Sequence, residues 1–435
     1  MSTPSPSRFS LFILTAAACT LLTLPALADS QARIVRLSDV QGAVQINKNS
    51  GLGFENAFVN LPITQGVQLR TGTNGRAEVE FEDGSSMRLA PNTSVEFSRL
   101  GANDAGRRTS EIELSSGMAY VNWMGKDDFA MNFSHEKIAL DRAAHFRVDT
   151  SSQAANLAVF KGDVQIEGPS GKVTVEKKKT AIFDVANDDK STIENKIAAA
   201  PLDDWDKESV SYHDQYAKNN QTPLGYGASD LGYYGAYTNV PGYGMMWQPY
   251  FAGVGWDPFM DGVWGFYPGY GYMFASAYPW GWMPYMYGNW AFAPGYGWGW
   301  QPGGFNTWHP IPHYTPTTAT RVSLAVPTAP SEKTVFVGKG GATATFSPFQ
   351  TTLRSGTAGM GIARGSLTDM KGLNHQVVKS GSAQVHPASQ FSASSPSRSS
   401  GFGSASSRGS MSSPPMGHAS AGAGHAGSGG GGSHH

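Results

Sequence analysis

Two copies of one aromatic segment, offset by 26 residues, constrain the fold of this chain most strongly. Residues 256–272 read WDPFMDGVWGFYPGYGY, and residues 282–298 read WMPYMYGNWAFAPGYGW. Eleven positions correspond in register; ten are identical, and one exchanges Phe259 for Tyr285. Both copies must be able to adopt the same local structure. A repeat of this kind forms a supersecondary unit that buries its apolar face by stacking on its copy.

The pattern within each copy predicts a β-hairpin or a small meander. In the first copy Trp264, Phe266, Tyr270 and Tyr272 are separated by even numbers of residues, which places their rings on one face of paired strands. The Pro-Gly-Tyr-Gly sequence between the two halves is typical of a turn. Trp247-Gln-Pro-Tyr250 predicts a truncated third copy. We therefore expect an aromatic repeat domain over residues 225–310.

Three roles for these rings are open. Phe, Tyr and Trp bury enough area to form the core of a β unit that is poor in Leu, Ile and Val. Alternatively, several rings form an exposed platform that stacks on sugar rings. The candidate platform residues are Trp256, Trp264, Tyr270, Trp282, Tyr285, Trp290, Tyr296 and Trp298. The third role is contact with another envelope protein or with a lipid interface. Nucleic acid is excluded as the main partner because residues 247–308 contain no Lys or Arg.

Short apolar–polar alternations recur from Val35 to about residue 195. Ala77-Glu-Val-Glu-Phe81 and Glu111-Ile-Glu-Leu114 are two of them, and Gly, Asn or Asp residues separate the runs. Period two with one apolar face predicts half-buried strands. Asn74-Gly75 lies between two such runs and suits a tight hairpin. This half therefore predicts a mainly β fold of the sandwich, roll or solenoid type.

The order of glycine and strand motifs in this half resembles the FecR-type periplasmic domain. The motifs include Gly42-x-Val44, Leu69-Arg-Thr-Gly72, Gly75-Arg-Ala-Glu-Val79, Phe81-Glu-Asp-Gly-Ser85, Ala144-His-Phe-Arg-Val148 and Val159-Phe-Lys-Gly162. The resemblance implies a β-solenoid-like or roll-like domain over residues 29–195. FecR proper resembles a signalling relay, in which a short cytoplasmic segment governs a sigma factor and one transmembrane helix leads to the periplasmic domain. We expect neither the cytoplasmic segment nor the transmembrane helix here. The resemblance therefore does not imply control of a sigma factor.

The aromatic segment resembles a Trp/Tyr/Gly-rich uncharacterised domain that follows FecR-type domains in some exported bacterial proteins. Trp256-x-Pro258-Phe259, Pro279-Trp280-Gly281-Trp282 and Gly297-Trp298-x-Trp300 carry this resemblance. Met286 and Asn289 stand where that pattern often has His and Arg, which removes a cationic anchor. The family implies no particular activity.

The N-terminal residues predict an export signal over residues 1–28. Arg8 precedes an apolar stretch from Phe9 to Leu24, and Pro25-Ala26-Leu27-Ala28 provides a cleavage site. We expect cleavage after Ala28 and export to the periplasm or the cell surface. The only cysteine, Cys19, lies inside this signal. We expect no membrane span because no later segment reaches the roughly 20 apolar residues that a span needs.

A helix and a tail complete the predicted organisation. From residue 198 to residue 219 the apolar period changes to three or four residues, with Asp203-Asp204 in the first turn, which predicts a short bridging helix. After residue 315 the chain has no Trp or Tyr and becomes rich in Ser, Gly, Ala and Pro. We predict a low-complexity, largely disordered tail over residues 315–435.

No catalytic, metal or cofactor site is predicted. Ser134-His135-Glu136 and His145 are residue types of metal and acid–base sites. Strand alternation, however, separates His135 from Glu136, and we interpret the histidines as surface or packing residues. The four tail histidines are not predicted to bind metal.

We therefore expect a non-enzymatic exported binding or scaffolding protein of the bacterial envelope, whose partner is an envelope protein or a glycan such as peptidoglycan. Three alternatives stay open. The first is a carbohydrate- or peptidoglycan-binding module that uses the two tryptophan-rich copies, residues 256–272 and 282–298, as its binding surface. The second is an extracytoplasmic signalling component that acts through a membrane partner, and the third is an unrecognised hydrolase.

Overall fold

A computed structural model describes residues 33–315 except 170 and 188, together with 324–328, 334–338, 345–346 and 351–386. The chain is mainly β, as predicted. The predicted export signal at residues 1–28 and the last part of the predicted tail, from residue 387, lie outside the described residues. No helix among the described residues is both long and apolar enough to cross a membrane.

Seventeen strands form the N-terminal half of the described chain. They are β1 (Val35–Gln41), β2 (Val44–Asn47), β3 (Glu55–Asn56), β4 (Pro62–Ile63), β5 (Gln68–Thr71), β6 (Arg76–Glu80), β7 (Ser86–Leu89), β8 (Ser94–Ala102), β9 (Arg108–Trp123), β10 (Asp128–Phe133), β11 (Glu136–Leu140), β12 (Ala144–Thr150), β13 (Ala154–Lys161), β14 (Asp163–Gly168), β15 (Gly171–Glu176), β16 (Thr180–Asp184) and β17 (Lys190–Glu194). Their alternating apolar side chains face one common core.

Strand β9 belongs to both faces of this β domain. Its first half pairs with β8 and β10, and its second half pairs with β7 and β12. The change of partner falls at Gly117, whose φ is +90°. A Cβ at this position would lie 2.6 Å from backbone and side-chain atoms of Thr93, so only glycine fits there. Among the described residues of this half, all pairings are antiparallel except that of β9 with β10, which gives a roll with two faces.

The outer face of β1, β6 and β7 departs from the predicted half-buried pattern. Alternation predicts that Arg36, Glu78, Glu80 and Arg88 face solvent, yet each is at most 2% exposed. The second half of the chain covers this face. Three neighbouring strands of the roll are therefore buried on both sides, and the charged residues lie in the seam between the roll and the second half.

The second half of the described chain mixes short helices and hairpins. Its elements are α1 (Asp203–Tyr216), a 3₁₀ turn (Ala217–Asn219), α2 (Ala228–Tyr234), β18 (Gly235–Val240), β19 (Gly244–Pro249), β20 (Asp261–Tyr267), β21 (Gly271–Ser276), α3 (Met283–Met286), β22 (Asn289–Ala293), β23 (Gly297–Gln301), β24 (Tyr314–Thr315), β25 (Val335–Gly338), β26 (Thr345–Phe346), β27 (Thr351–Arg354), α4 (Met370–Ser380) and β28 (Ser382–Val385). Helix α1 occupies the predicted bridging segment and begins with three acidic residues in its first turn.

Both aromatic copies contain hairpins whose turns are Pro-Gly-Tyr-Gly, as predicted. These are β20–β21 and β22–β23, and β18–β19 is a third with the same turn at residues 241–244. Tyr243, Tyr270 and Tyr296 each donate their backbone N–H to the residue three positions earlier, at 3.0 Å. The glycines on both sides of each tyrosine have φ between +76° and +83°. The structure thus extends the repeat to three hairpin turns. The two copies differ before the hairpin, where Met283–Met286 form a helical turn and the equivalent residues 257–260 form neither helix nor strand.

The predicted disordered tail is wrong for residues 351–386. This segment forms β27, α4 and β28, and most of its apolar side chains pack in the aromatic core, whereas Val378 is exposed. Its backbone also serves buried aromatic residues: Trp280 Nε1 donates to the Ala358 carbonyl at 2.6 Å, and the Tyr234 hydroxyl donates to the Ile362 carbonyl at 2.6 Å. Composition misleads here because a segment poor in apolar residues becomes ordered by packing on a core made by other segments.

Candidate functional site

Opposite charges pair across the buried seam that β1, β6 and β7 form with α1 and α2. Arg36 Nη1 lies 3.1 Å from Glu80 Oε2 and 2.6 Å from Asp230 Oδ2, and Asp230 belongs to α2. Arg88 Nε lies 2.8 Å from Glu78 Oε2, and Arg88 Nη1 lies 2.8 Å from Asp206 Oδ1 in α1. We call these residues, with Arg364 and His213, the seam network. It joins the β roll to both following helices.

Arg364 brings the C-terminal segment into the seam network. Its Nε and Nη2 atoms contact the two carboxylate oxygens of Asp230 at 2.9 and 2.8 Å, and Nη1 donates to Glu78 Oε1. On the other side of Glu78, the Nε2 atom of His213 lies 3.1 Å from Oε1, while its Nδ1 atom lies 2.8 Å from the hydroxyl of Ser229. The network therefore connects four separate parts of the sequence.

These contacts lower the pKa values of two seam carboxylates, Glu78 and Asp230. Burial opposes ionisation of Glu78, but the charges of His213, Arg88 and Arg364 outweigh it and hold the pKa of Glu78 well below its usual range. Burial also opposes ionisation of Asp230, and Arg364 and Arg36 together lower the pKa of Asp230. A buried carboxylate that is ionised and paired with Arg is suited to holding segments together and is not suited to taking up a proton during catalysis.

Glu78, Glu80 and His213 form the one group of three potential metal ligands found among the described residues, with ligand atoms within 4.8 Å of one another. Three arginines reach the same carboxylates. An added metal ion would therefore meet the guanidinium groups of Arg36, Arg88 and Arg364. The chemistry of this donor set fits charge pairing between segments better than metal binding.

The residues that suggested acid–base chemistry in the sequence do not assemble into one site. His145 Nε2 lies 2.8 Å from Asp206 Oδ2 and packs at the margin of the seam network. His135 lies in the turn between β10 and β11 and contacts Asp189 at 2.6 Å. Glu136 points into the roll and makes no hydrogen bond to His135. His145 is thus largely buried beside Asp206, whereas His135 is exposed on the surface of the roll.

Six of the eight candidate platform residues lie in the aromatic core, which favours the core role among the three that the sequence leaves open. The six are Trp256, Trp264, Trp282, Tyr285, Trp290 and Trp298, each at most 5% exposed. Hydrogen bonds also hold buried rings in place. Trp256 Nε1 donates to the Tyr278 hydroxyl, and the Tyr285 hydroxyl donates to the Pro258 carbonyl. Four of these rings, Trp264, Trp282, Tyr285 and Trp290, line no described part of the cavity beside Tyr296, whereas Trp256 and Trp298 form part of its wall.

The other two platform residues lie at hairpin turns. Tyr270 is half-buried and its ring contacts Trp308, whereas Tyr296 is 49% exposed. Tyr243 in the third turn is 37% exposed. Nothing in the described chain lies within 4 Å of a Cβ placed at the glycines beside Tyr296, so this ring stands on an open turn.

Tyr296 borders a cavity of about 550 Å³, which we call the aromatic cleft. Strands β19 and β23 lie beside each other at the cleft and pair in register at Trp247 and Trp300. The side chain of Gln248 in β19 donates from Nε2 to the carbonyls of Tyr296 and Trp298 at 2.7 and 3.1 Å. Lining residues include Gln248, Tyr250, Phe292, Tyr296, Ser355 and Asn374, and none of the described lining residues is charged.

Sequence reasoning missed the residues from the C-terminal segment that complete both features. Ser355 and Asn374 line the aromatic cleft, and Arg364 pairs in the seam. One sequence signal did exist for the seam: β1, β6 and β7 carry opposite charges on the face that alternation leaves to solvent. Cross-strand partners Arg36 and Glu80 form one such pair, and Glu78 and Arg88 form another.

Residues 67–165 match the FecR protein family, and residues 228–327 match a family of unknown function, DUF6600. These matches confirm both resemblances and their order along the chain. The FecR match spans β5 to the first strand residues of β14. The second match begins with α2 and covers the three hairpins.

Two crystal structures of a protein described as a putative anti-sigma factor from Parabacteroides distasonis are similar to part of the chain. Their sequence identities are 16% and 15%, and each has a TM-score of 0.27. The similarity covers 30% of this chain and 60% of that protein. This chain thus spans less than two thirds of the solved protein it matches. No curated protein matches it.

Proposed function

We propose that this chain is a non-enzymatic binding and scaffolding protein of the bacterial envelope that holds a glycan in the aromatic cleft. Proteins with a FecR domain are associated with the envelope, which supports this location. The export signal predicted at residues 1–28 would deliver the chain there. The FecR-type roll serves as the rigid support, and the aromatic half carries the binding surface.

The observation that carries this proposal is the lining of the aromatic cleft. Its described residues supply rings, amides and hydroxyls, and no charge of either sign. A cleft without charge does not favour ionic ligands such as nucleic acids, since phosphates need cations. A neutral sugar offers apolar C–H faces to rings and hydroxyls to amides. Pockets of a few hundred cubic ångströms with a few convergent polar groups are typical of small-ligand sites.

The positions of the polar groups suit a ligand that lies along the cleft. Gln248 is held by two hydrogen bonds to the backbone carbonyls of the opposite strand, so its amide is oriented before a ligand arrives. Tyr296 and Asn374 of α4 also line the cleft. An amide fixed in advance loses little conformational entropy on binding.

The seam network supports a role without catalysis. Two of its carboxylates, Glu78 and Asp230, are paired with arginines and have lowered pKa values. General acids and bases need a pKa near the working pH, which such pairing prevents. The network instead fixes the C-terminal segment, and with it Asn374, against the domain that carries the rest of the cleft.

Titration of the purified mature chain with chitin oligosaccharides, glucan oligosaccharides and peptidoglycan fragments tests the proposal. Isothermal calorimetry should show saturable binding of at least one glycan. Tyr296→Ala should weaken this binding at least tenfold while leaving the free energy of unfolding unchanged. The matched control is Tyr243→Ala, because Tyr243 occupies the same place in another hairpin turn but does not line the cleft. Equal binding by both variants, or no binding by the wild type, would reject the cleft as a glycan site.

A signalling component that acts through a membrane partner is the second candidate function. The FecR match at residues 67–165 favours it. Site-specific crosslinking from the exposed face of β10 and β11 in the intact envelope would test this candidate. A single crosslinked inner-membrane protein, lost when the FecR-type roll is replaced, would support it over glycan binding.

A further inference from the structure

The C-terminal segment supplies one wall of the aromatic cleft. Asn374 and Val378 of α4 both line the cleft, and they are four residues apart, so they lie one turn apart on the same face of the helix. Ser355 lines the cleft as well, and its backbone N–H donates to the carbonyl of Gly381, the residue that caps the end of α4. The wall therefore presents an amide, an isopropyl group and a hydroxyl, in that order, towards the end of α4.

The two polar side chains of this wall have no partner within the protein. Neither the amide of Asn374 nor the hydroxyl of Ser355 makes a hydrogen bond to another described residue. An Asn side chain offers two donors and an acceptor, and a Ser hydroxyl offers one donor and accepts as well. The amide of Gln248, by contrast, already donates to two backbone carbonyls. Asn374 and Ser355 are thus the groups of the cleft that are free to bond a ligand.

Exposed apolar side chains gather around the same cleft. Three of the eleven large apolar residues that are exposed in the described chain line it, namely Val254, Tyr296 and Val378. The loop that carries Val254 adjoins the wall, because a Cβ at the preceding Gly253 would lie 1.6 Å from Ser355 Oγ. A single exposed apolar residue is ordinary, but several around one cavity indicate a contact surface.

An acetamido group matches the chemistry of this wall. It combines an N–H donor, a carbonyl acceptor and a terminal methyl group, so it needs polar partners beside a small apolar surface. Asn374 and Ser355 can bond its amide, and Val378 between them can pack on its methyl. A hydroxyl at the same carbon of the sugar would leave Val378 in water and would make fewer hydrogen bonds to the wall.

We infer that the glycan held in the aromatic cleft carries acetamido groups, and that Asn374 and Val378 of α4 form the subsite that selects them over hydroxyl groups. This inference rests on the proposed glycan function and names the class of sugar. The same group occurs in chitin-type oligosaccharides and in the glycan strands of peptidoglycan. The C-terminal segment thus determines specificity, while the aromatic hairpins supply the rest of the cleft.

Isothermal calorimetry with two tetrasaccharides of the same linkage tests this inference. Chitotetraose and cellotetraose differ only in the acetamido or hydroxyl group that each sugar carries at C2. The purified mature chain should bind chitotetraose about tenfold more tightly or better. Saturation-transfer difference NMR should give its strongest ligand signals at the acetyl methyl protons. Peptide-free glycan strands are a second probe: their binding would identify the cell wall as a source, and binding of chitotetraose alone would identify chitin-type sugars.

Two variants test the subsite. Asn374→Ala and Val378→Thr should each lower the affinity for chitotetraose about tenfold and leave the affinity for cellotetraose unchanged. Gln376→Ala is the matched control, because Gln376 is an exposed amide on α4 that does not line the cleft. It should bind both sugars as the wild type does.

Each contrary outcome has a different meaning. Equal wild-type affinities for the two tetrasaccharides would overturn this inference and leave the glycan function standing. A preference for chitotetraose that persists in both variants would overturn the assignment of Asn374 and Val378. No binding of either sugar or of the glycan strands by the wild type would reject the glycan function itself, and the inference with it.

Discussion

Arg364 donates hydrogen bonds from its Nε and Nη2 atoms to the two carboxylate oxygens of Asp230, a residue 134 positions earlier in the chain. The same Nη2 atom donates to the backbone carbonyl of Ser38 at 3.0 Å. One side chain therefore joins the C-terminal segment, helix α2 and strand β1. Bidentate Arg–carboxylate pairs are among the strongest hydrogen-bonded contacts in proteins.

Replacement of Arg364 by Ala should destabilise the protein strongly. The change leaves Glu78 and Asp230 buried with fewer cations, and breaking a buried ion pair from one side costs about 3–5 kcal/mol. Urea unfolding followed by tryptophan fluorescence measures this cost. Arg354→Ala is the control, because Arg354 is exposed in the same segment and should change the free energy of unfolding by less than about 0.5 kcal/mol. Equal effects of the two variants would show that the seam contact contributes no net stability.

Truncation should separate the ordered C-terminal segment from the residues beyond it. A chain ending at residue 386 should unfold at the same urea concentration as the full chain. A chain ending at residue 350 should lose cooperative unfolding of the aromatic half, because Tyr234 and Trp280 would lose their carbonyl partners at Ile362 and Ala358. Near-UV circular dichroism reports the packing of these rings. Identical spectra for both truncated chains would contradict the role assigned to residues 351–386.

Removal of two rings from the second aromatic copy should change the free energy of unfolding by very different amounts. Trp290→Ala removes a fully buried indole and should cost about 3–5 kcal/mol of unfolding free energy. Tyr296→Ala removes a ring on an open turn and should cost less than about 0.5 kcal/mol. Chemical denaturation of both variants checks the contrast. A small cost for Trp290→Ala would make that residue a candidate ligand contact again.

The stability of the roll should fall as pH rises, through Glu136. Burial raises the pKa of Glu136 to about 7 from its ordinary value of 4.5. The folded state then binds the proton more tightly, so this stabilising contribution is complete below pH 4.5 and is lost as pH rises through 7. Glu136→Gln should therefore gain Tm relative to the wild type at pH 8 and not at pH 4.5.

Glu176→Gln is the comparison for this pH effect. Its carboxylate is exposed, and the hydrogen bond and charge of Lys179 lower the pKa of Glu176 below its ordinary value. The variant should not gain Tm between pH 4.5 and pH 8. A wild-type Tm that is independent of pH across this interval, or a Glu136→Gln variant that tracks the wild type, would count against a buried carboxylic acid at this position.

Local patterns in the sequence predicted local structure well. Alternating runs became strands, the segment after residue 198 became α1, and two Pro-Gly-Tyr-Gly sequences became hairpin turns. Turn geometry depends on a few neighbouring residues, which explains this success. The third turn, at Pro241–Gly244, was missed because the truncated third copy was recognised by its tryptophan and not by its turn.

The candidate sites depended on contacts that no local pattern specifies. Glu78 has the same alternation as an exposed strand residue, and only its distant partners His213 and Arg364 show that it is buried. A segment rich in aromatic residues fits a core and a surface equally well. Composition therefore could not show that Trp290 is buried and Tyr296 is exposed. These distinctions depend on tertiary packing, which overrides strand propensity and composition.

The seam network also bears on how sequences of this architecture can diverge. Asp230 is shared by Arg36 and Arg364, and Glu78 is shared by Arg88, Arg364 and His213. Losing any one of these charges leaves its buried partners with one counter-charge fewer, so we expect single substitutions at these positions to be unfavourable. Viable descendants should exchange the whole set together, and the roll and the aromatic half would be inherited as one co-evolving unit.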